Sequence, residues 1–248
     1  MNKKIFSIIV ALMAIASGAQ AQNSIDGHAY VDLGLPSGTL WATMNVGASS
    51  ITDVGDKFAW GEIETKSAFT WDNYKWKDQN KTSLSLSDDA AYVNWSDKWC
   101  MPTKAQVEEL MSKCTISYNA TENNPGTTLT GPNGKTIFFP AWIATKWGAY
   151  WTSDYYGIDY GKPDAYYLFI KNDEKAYSVS HQSCYTLGMI RPVVRTKTIS
   201  DIPDGWTVNG LTPIDGKVNV RVGKKVKVTP ANLPVGKKVK SIKLVPTE

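Results

Sequence analysis

The sequence predicts an α+β domain with a small all-β module behind it. Three features carry that expectation. Short alternating runs broken by Gly and Pro fill most of residues 22–196, and the same stretch holds only two helix starts. Residues 197–248 repeat a basic, valine-rich pattern.

The chain opens MNKKIFSIIVALMAIASGAQAQ. Lys3 and Lys4, the apolar run Ile5 to Ala16 and the small-x-small site at Ala19-Gln20-Ala21 are the three parts of a secretory signal peptide, residues 1–21. The apolar run is about a dozen residues, well short of the ~20 that a spanning helix needs. Cleavage before Gln22 and export to the periplasm, the cell surface or the medium are expected, with no transmembrane segment afterwards. No cysteine adjoins the cleavage point, which argues against a lipid anchor there.

Within 22–196, Tyr30-Val31-Asp32-Leu33 and Leu40 to Gly47 read as strands around a turn at Leu35-Pro36-Ser37-Gly38. Residues 62–86 are polar, with Trp71, Tyr74 and Trp76 interspersed, and read as a long irregular loop. Ser87 is the expected cap of a short helix through Val93. Thr103, with Gln106 three residues on, has capping-box spacing, and Val107, Leu110, Met111 and Cys114 follow at helical intervals. Asn133-Gly134 between 127–130 and 135–139 signals a hairpin. Further strands are expected over 150–153, 165–171, 176–180 and 188–194, with a tight turn at Asn172-Asp173-Glu174. Trp41, Trp60, Trp99, Trp142 and Trp151 lie in apolar runs and read as core.

The tail, 197–248, repeats VGKKVK at 222–227 and 235–240 and holds ten Lys/Arg against four Asp/Glu, a net +6. With +2 in the signal peptide and +4 overall, residues 22–196 carry −4. The split suggests two modules with different surfaces. The lysines are spread along strands, and the chain is expected to be exported, so nucleic acid is not the expected partner. Self-association through the tail is a possibility that its strands leave open.

Cys100, Cys114 and Cys184 leave at least one thiol free. Cys100 and Cys114 flank the second helix and stand too far apart to bridge, so Cys184 could pair with either or all three could be small buried hydrophobes. No CxxC or Cys/His metal spacing is present. There is no GxSxG, HExxH, P-loop or dinucleotide fingerprint, and His28 and His181 are the only histidines. His28 is expected to be exposed near the mature N-terminus. Nothing supplies a catalytic set, so a non-enzymatic protein is expected.

In order, YVDLGLPSGTLWATMNVG (30–47), GDKFAWGE (55–62), DDAAYVNW…WCMPTKAQVEEL (88–110), GPNGKTIFFPA (131–141), YWTSD (150–154) and GMIRPV (188–193) resemble the Fibrobacter succinogenes major paralogous domain, an exported family abundant in Bacteroidetes. The resemblance implies a C-type-lectin-like fold, similar to that of formylglycine-generating enzymes: a twisted antiparallel sheet, two helices and long loops on one face. The cysteine pair of those oxidases is absent, since only Cys184 precedes GMIRPV, leaving at most a degenerate relative. The resemblance also implies that loops near the last strands form a recognition face, here 155–164 and 180–186. The residues offered there are Tyr155, Tyr156, Asp159, Tyr160, Asp164, His181, Gln182 and Tyr185, against a glycan or a surface protein.

Sugar-binding relatives of that fold use calcium. Lys162-Pro163-Asp164 and Lys171-Asn172-Asp173 partly echo their ligand loops, which makes Asp164, Asn172 and Asp173 an alternative calcium set. A lysine where a ligand should stand, and the short spacing, weigh against it. No cofactor is otherwise expected. The rival reading is a structural subunit of a surface assembly, with tail strands adding to a neighbour's sheet edge.

Overall fold

The computed structural model describes residues 23–79, 81–200, 202 and 204–230. The expected signal peptide and the second copy of the tail repeat lie outside the described residues. One sheet has the order β1-β2-β3-β11-β4, from β1 (Ser24–Ile25), β2 (His28–Asp32), β3 (Leu40–Ala42), β11 (Val193–Val194) and β4 (Trp99–Cys100). A first antiparallel meander joins β5 (Thr115–Asn119), β6 (Gly126–Thr130) and β7 (Thr136–Pro140). A second joins β8 (Trp147–Asp159), β9 (Lys162–Lys171) and β10 (Ala176–Ser183). In the tail β12 (Thr196–Ile199) pairs with β14 (Val218–Arg221), and β13 (Thr207–Val208) pairs with β15 (Val228–Thr229).

The α+β expectation is overturned, and with it the C-type-lectin-like architecture that the resemblance implies. Strand makes up 38% of the structure and helix 10%, in several small sheets that form a curled half-barrel, so the class is mostly β. Helix-start signals mark where a helix begins and not how far it runs. Helix α1 is only five residues (Ala90–Asn94) and α2 ten (Lys104–Lys113). No helix among the described residues is long and apolar enough to cross a membrane.

Helix α2 starts as its sequence dictates. Thr103 Oγ1 accepts from Gln106 N at 3.2 Å, and Gln106 Oε1 accepts from Thr103 N at 2.9 Å. A further N-terminal amide, Lys104 N, is taken by Asp154 Oδ2 at 2.7 Å, a cap contribution of about 1 kcal/mol. Helix α1 is capped two residues later than expected. Asp89, not Ser87, accepts from Ala91 N and Tyr92 N, because 86–88 form a 3-10 turn in which Asp88 is held by Lys81 and Ser85. The hairpin at Asn133-Gly134 forms between β6 and β7. Its loop is a turn over 131–134 with Pro132 at the second position and Gly134 at φ 79°, followed by return to the ladder at Lys135.

Two apolar clusters lie on opposite faces of the β8–β9–β10 sheet. On one face Leu168, Ile170 and Tyr150 meet Val107, Leu110 and Met111 of α2. On the other, Trp151 and Ala165 meet Phe58, Trp60 and Ile190. Trp41, Trp60, Trp99 and Trp151 are fully buried, while Trp142 is only half-buried. Arg191, from GMIRPV, is a buried tie. Its guanidinium donates to Asn45 Oδ1 (2.8 Å), Ala42 O (3.0 Å) and Phe138 O (2.9 Å), and lies 4.7 Å over the Phe139 ring. Of the strand expected over 188–194, only Val193–Val194 is a strand, and Gly188 and Met189 make single bridges.

His28 is not a free N-terminal side chain. It stacks on Trp95 at 3.7 Å and meets Trp99 edge-on, and burial holds its pKa below the ordinary value against the opposing charge of Asp26. All three cysteines are free: Cys100 pairs in the ladder with Val193, and Cys184 sits in the other apolar cluster, so the disulfide through Cys184 is not made. The tail gathers Ile202, Val208, Val218 and Val220 into a separate small core.

Candidate functional site

The stretch expected as an eleven-residue loop, 154–164, is a β-hairpin. β8 continues to Asp159 and β9 begins at Lys162, leaving Tyr160 (φ 45°) and Gly161 (φ 75°) as a two-residue turn with both dihedrals positive. That is the twist-matched hairpin turn. The alternation is hidden in the sequence by bulges. Between the pairs Trp151↔Tyr167 and Tyr155↔Ala165, β8 carries two extra residues, and before Gly157↔Asp164 it carries one more. The extra residues use their carbonyls elsewhere: Thr152 O accepts from Trp60 Nε1 at 2.9 Å. The last bulge re-aims Tyr156.

One side of this hairpin brings three titratable groups together. Asp164 on β9 and His181 on β10 lie diagonally across the ladder, and His181 Nδ1 donates to Asp164 Oδ2 at 2.8 Å. Asp159, the last residue of β8, completes the set, with one ligand atom from each residue within 4.8 Å of the others. Asp164 is 4% exposed, and its other oxygen, Oδ1, is buried with no hydrogen-bond partner. An unmet carboxylate oxygen costs roughly 1–3 kcal/mol. Tyr156 lies flat on the His181 imidazole, 3.6 Å between centroids and 3° between planes, with Tyr166 edge-on to Tyr156. Asp159, Asp164 and His181 could hold a metal ion.

The other side faces a cleft of about 110 Å³. Trp71, Trp76, Tyr155, Ile158 and Pro163 supply its apolar walls, and Lys77, Gln79 and Lys81 its polar ones. Tyr155 is tilted against Trp60 at 6.0 Å and half-buried. Tyr185 meets Trp71 edge-on, and Lys162 holds its ammonium 5.0 Å over Tyr185 and 5.5 Å over Trp71. Tyr160 stands at the tip, 98% exposed, with Ile158 at 61%.

The eight residues expected to bind ligand therefore divide. Asp159, Asp164, His181 and Tyr156 form one group, and Tyr155 and Tyr185 belong to the cleft side. Tyr160 is alone at the tip, and Gln182 is tied by its amide to Leu187 O. Trp71 and Trp76 were not among them. The trace they leave in the sequence is four aromatics, Phe69, Trp71, Tyr74 and Trp76, in the polar stretch 62–86.

The alternative set Asp164, Asn172 and Asp173 is not brought together. Asp164 and Asn172 lie at opposite ends of β9, and Asn172 is a buried structural amide between Thr127 Oγ1 (2.7 Å) and Lys146 O (3.0 Å). Cys184 is buried, and burial lifts its thiol to about 12, so it is not a thiolate at neutral pH. Glu62 is committed to Lys66 and to Lys75 N. The sequence matches no family model, and neither curated proteins nor solved structures show significant similarity to it.

Proposed function

We propose that the chain is an exported, non-enzymatic binding protein that holds a saccharide ring of a glycan between the β8–β9 hairpin and the Trp71–Trp76 segment. One observation carries the reading: Tyr160 projects into solvent from the two-residue turn and Ile158 from the end of β8, beside a cleft walled by Trp71, Trp76 and Tyr155. Tyr160 and Ile158 are large side chains left exposed, and Tyr160, a non-glycine residue, is held at positive φ. Indole and phenol faces with amide and ammonium donors at the rim suit a sugar, which offers C–H faces and hydroxyls. The family resemblance and the signal-like N-terminus support export, and the high thiol pKa of Cys184 supports a protein without cysteine-oxidase chemistry.

Calcium prefers six to eight oxygens. Two carboxylates and an imidazole are a poor start for it, so glycan binding is expected to survive calcium removal. A glycan array with the mature chain, repeated with Tyr160→Ala and Trp76→Ala, tests the reading. Binding by the wild type that both variants lose supports it. Binding unchanged in both removes the site, and retention of a protein partner without any glycan favours a protein ligand.

The structural-subunit reading draws on a different feature, the tail with its own small core and two two-stranded sheets. Deleting 197–248 separates the two readings: lost assembly with retained glycan binding assigns assembly to the tail.

A further inference from the structure

We infer that Asp159, Asp164 and His181 form a site for a single borderline divalent cation of the zinc class, with Tyr156 as the residue that fixes the imidazole. The inference stands apart from the glycan reading, because metal affinity is measured without any saccharide.

Four observations carry it. The first is the donor set, two carboxylates and one imidazole on three different strands converging within 4.8 Å. Imidazole suits zinc, copper, nickel and iron, whereas calcium and magnesium prefer oxygen ligands alone. The second is the unmet demand of Asp164. A carboxylate 4% exposed, with Oδ1 lacking any partner, is a costly arrangement in a strand unless something arrives to satisfy it.

Charge is the third. Among the described residues no lysine or arginine forms an ion pair with Asp159 or Asp164. The residue opposite Asp159, Lys162, carries its ammonium over the rings of Trp71 and Tyr185 instead. Two carboxylates are thus left with one imidazole between them. The fourth is preorganisation. Tyr156, the unpaired residue of the last bulge, lies flat on the imidazole, and a stack at 3.6 Å leaves the ring little freedom to rotate about its last torsion.

The geometry needs little change. Ions of this class sit about 2.0–2.2 Å from nitrogen and carboxylate oxygen, so two ligands at a tetrahedral angle stand roughly 3.4 Å apart. The His181–Asp164 contact, now 2.8 Å, would open by roughly 0.6 Å as the ion replaces the shared proton. If the ion takes Nδ1, the ring proton sits on Nε2. The wider separations must close, and Asp159 can supply that movement because it is the last residue before the turn. Three protein ligands leave a coordination position open for water or a ligand oxygen. An ion there ties the end of β8 to β9 and β10.

The experiment is calorimetric titration of the metal-free mature chain with zinc chloride and, separately, calcium chloride. Variants are His181→Gln, Asp159→Asn, Asp164→Asn and, as a control, His28→Gln. One zinc per chain is expected, weakened about tenfold or more by each of the first three substitutions and unchanged in His28→Gln. Calcium should give no heat at millimolar concentration. Zinc affinity at wild-type level in both His181→Gln and Asp159→Asn would overturn the inference, as would a folded wild type that takes up no zinc. Preference for calcium would overturn the assignment of class. Asp159→Asn lies at the half-buried end of β8 and tests the site even if Asp164→Asn fails to fold.

Discussion

The two ends of the β8–β9–β10 sheet are built from similar residues and do opposite things. At the Trp147–Ile170 end, polar groups are matched: the Tyr150 hydroxyl donates to Pro140 O, and the Asn172 amide joins Thr127 to Lys146 O. Tyr150 and Trp151 are sealed there in the two apolar clusters on opposite faces, while Trp147 at the strand end stays exposed. At the hairpin end a carboxylate oxygen goes unmet, a tyrosine stands in solvent at positive φ, and an imidazole is clamped by a ring. An aromatic-rich sequence thus says little about role until burial and hydrogen bonding are known. Where both are complete the residue builds the fold, and where they are withheld the residue is available to bind.

The sharpest contrast comes from truncation at each end. Trp151→Ala removes a fully buried indole and is expected to cost about 3–5 kcal/mol in chemical denaturation. Tyr160→Ala should change stability by less than about 0.5 kcal/mol, read in the same experiment. A large loss in Tyr160→Ala would mean that the tip supports the fold after all. Next in size is Asn172→Leu, which strands the Thr127 hydroxyl, leaves Lys146 O with only the backbone N–H of residue 172, and should cost about 1–3 kcal/mol.

Asp164→Asn should go the other way in metal-free protein. It keeps an oxygen to accept from His181 Nδ1 and removes a buried charge, so thermal stability in EDTA is expected to rise by about 1 kcal/mol.

The smallest effect concerns pH. Burial lowers the pKa of His28 below its unfolded value, so the unfolded chain binds the proton more readily. The stability from the neutral, stacked ring is complete above the unfolded value of 6.5 and is lost as pH falls from there through the lowered folded value. Melting temperatures should therefore fall as the pH is lowered through that window, and less steeply in His28→Gln. Equal slopes would mean that the Trp95 stack does not distinguish the two protonation states.

Much of the local structure was legible. Thr103 and Gln106 marked the start of α2, Gly134 closed the β6–β7 hairpin, and the valine-rich tail yields β14 with Val218 and Val220 inward. The fold class was not, because caps fix starts while helix length and sheet partners depend on packing far along the chain. The hairpin was misread as a loop for a local reason. Three bulge residues break the period of two, and Tyr-Gly replaces the usual Asn-Gly at the turn. The site was half legible: Asp159, Asp164 and His181 stood among the residues expected at the recognition face, but it is the tight turn at 160–161 and the β9–β10 ladder that bring them together. The resemblance to calcium-binding loops pointed instead at Asn172 and Asp173, which serve a turn.

The central claim is that Asp164 is left unsatisfied in the fold in order to be satisfied by a cation. The most direct measurement is the difference in melting temperature between wild type and Asp164→Asn, taken once in EDTA and once in excess zinc. The difference is predicted to change sign, the variant melting higher in EDTA and the wild type higher in zinc. A difference of the same sign and size in both conditions would contradict the claim and return Asp164 to the structural residues of the sheet.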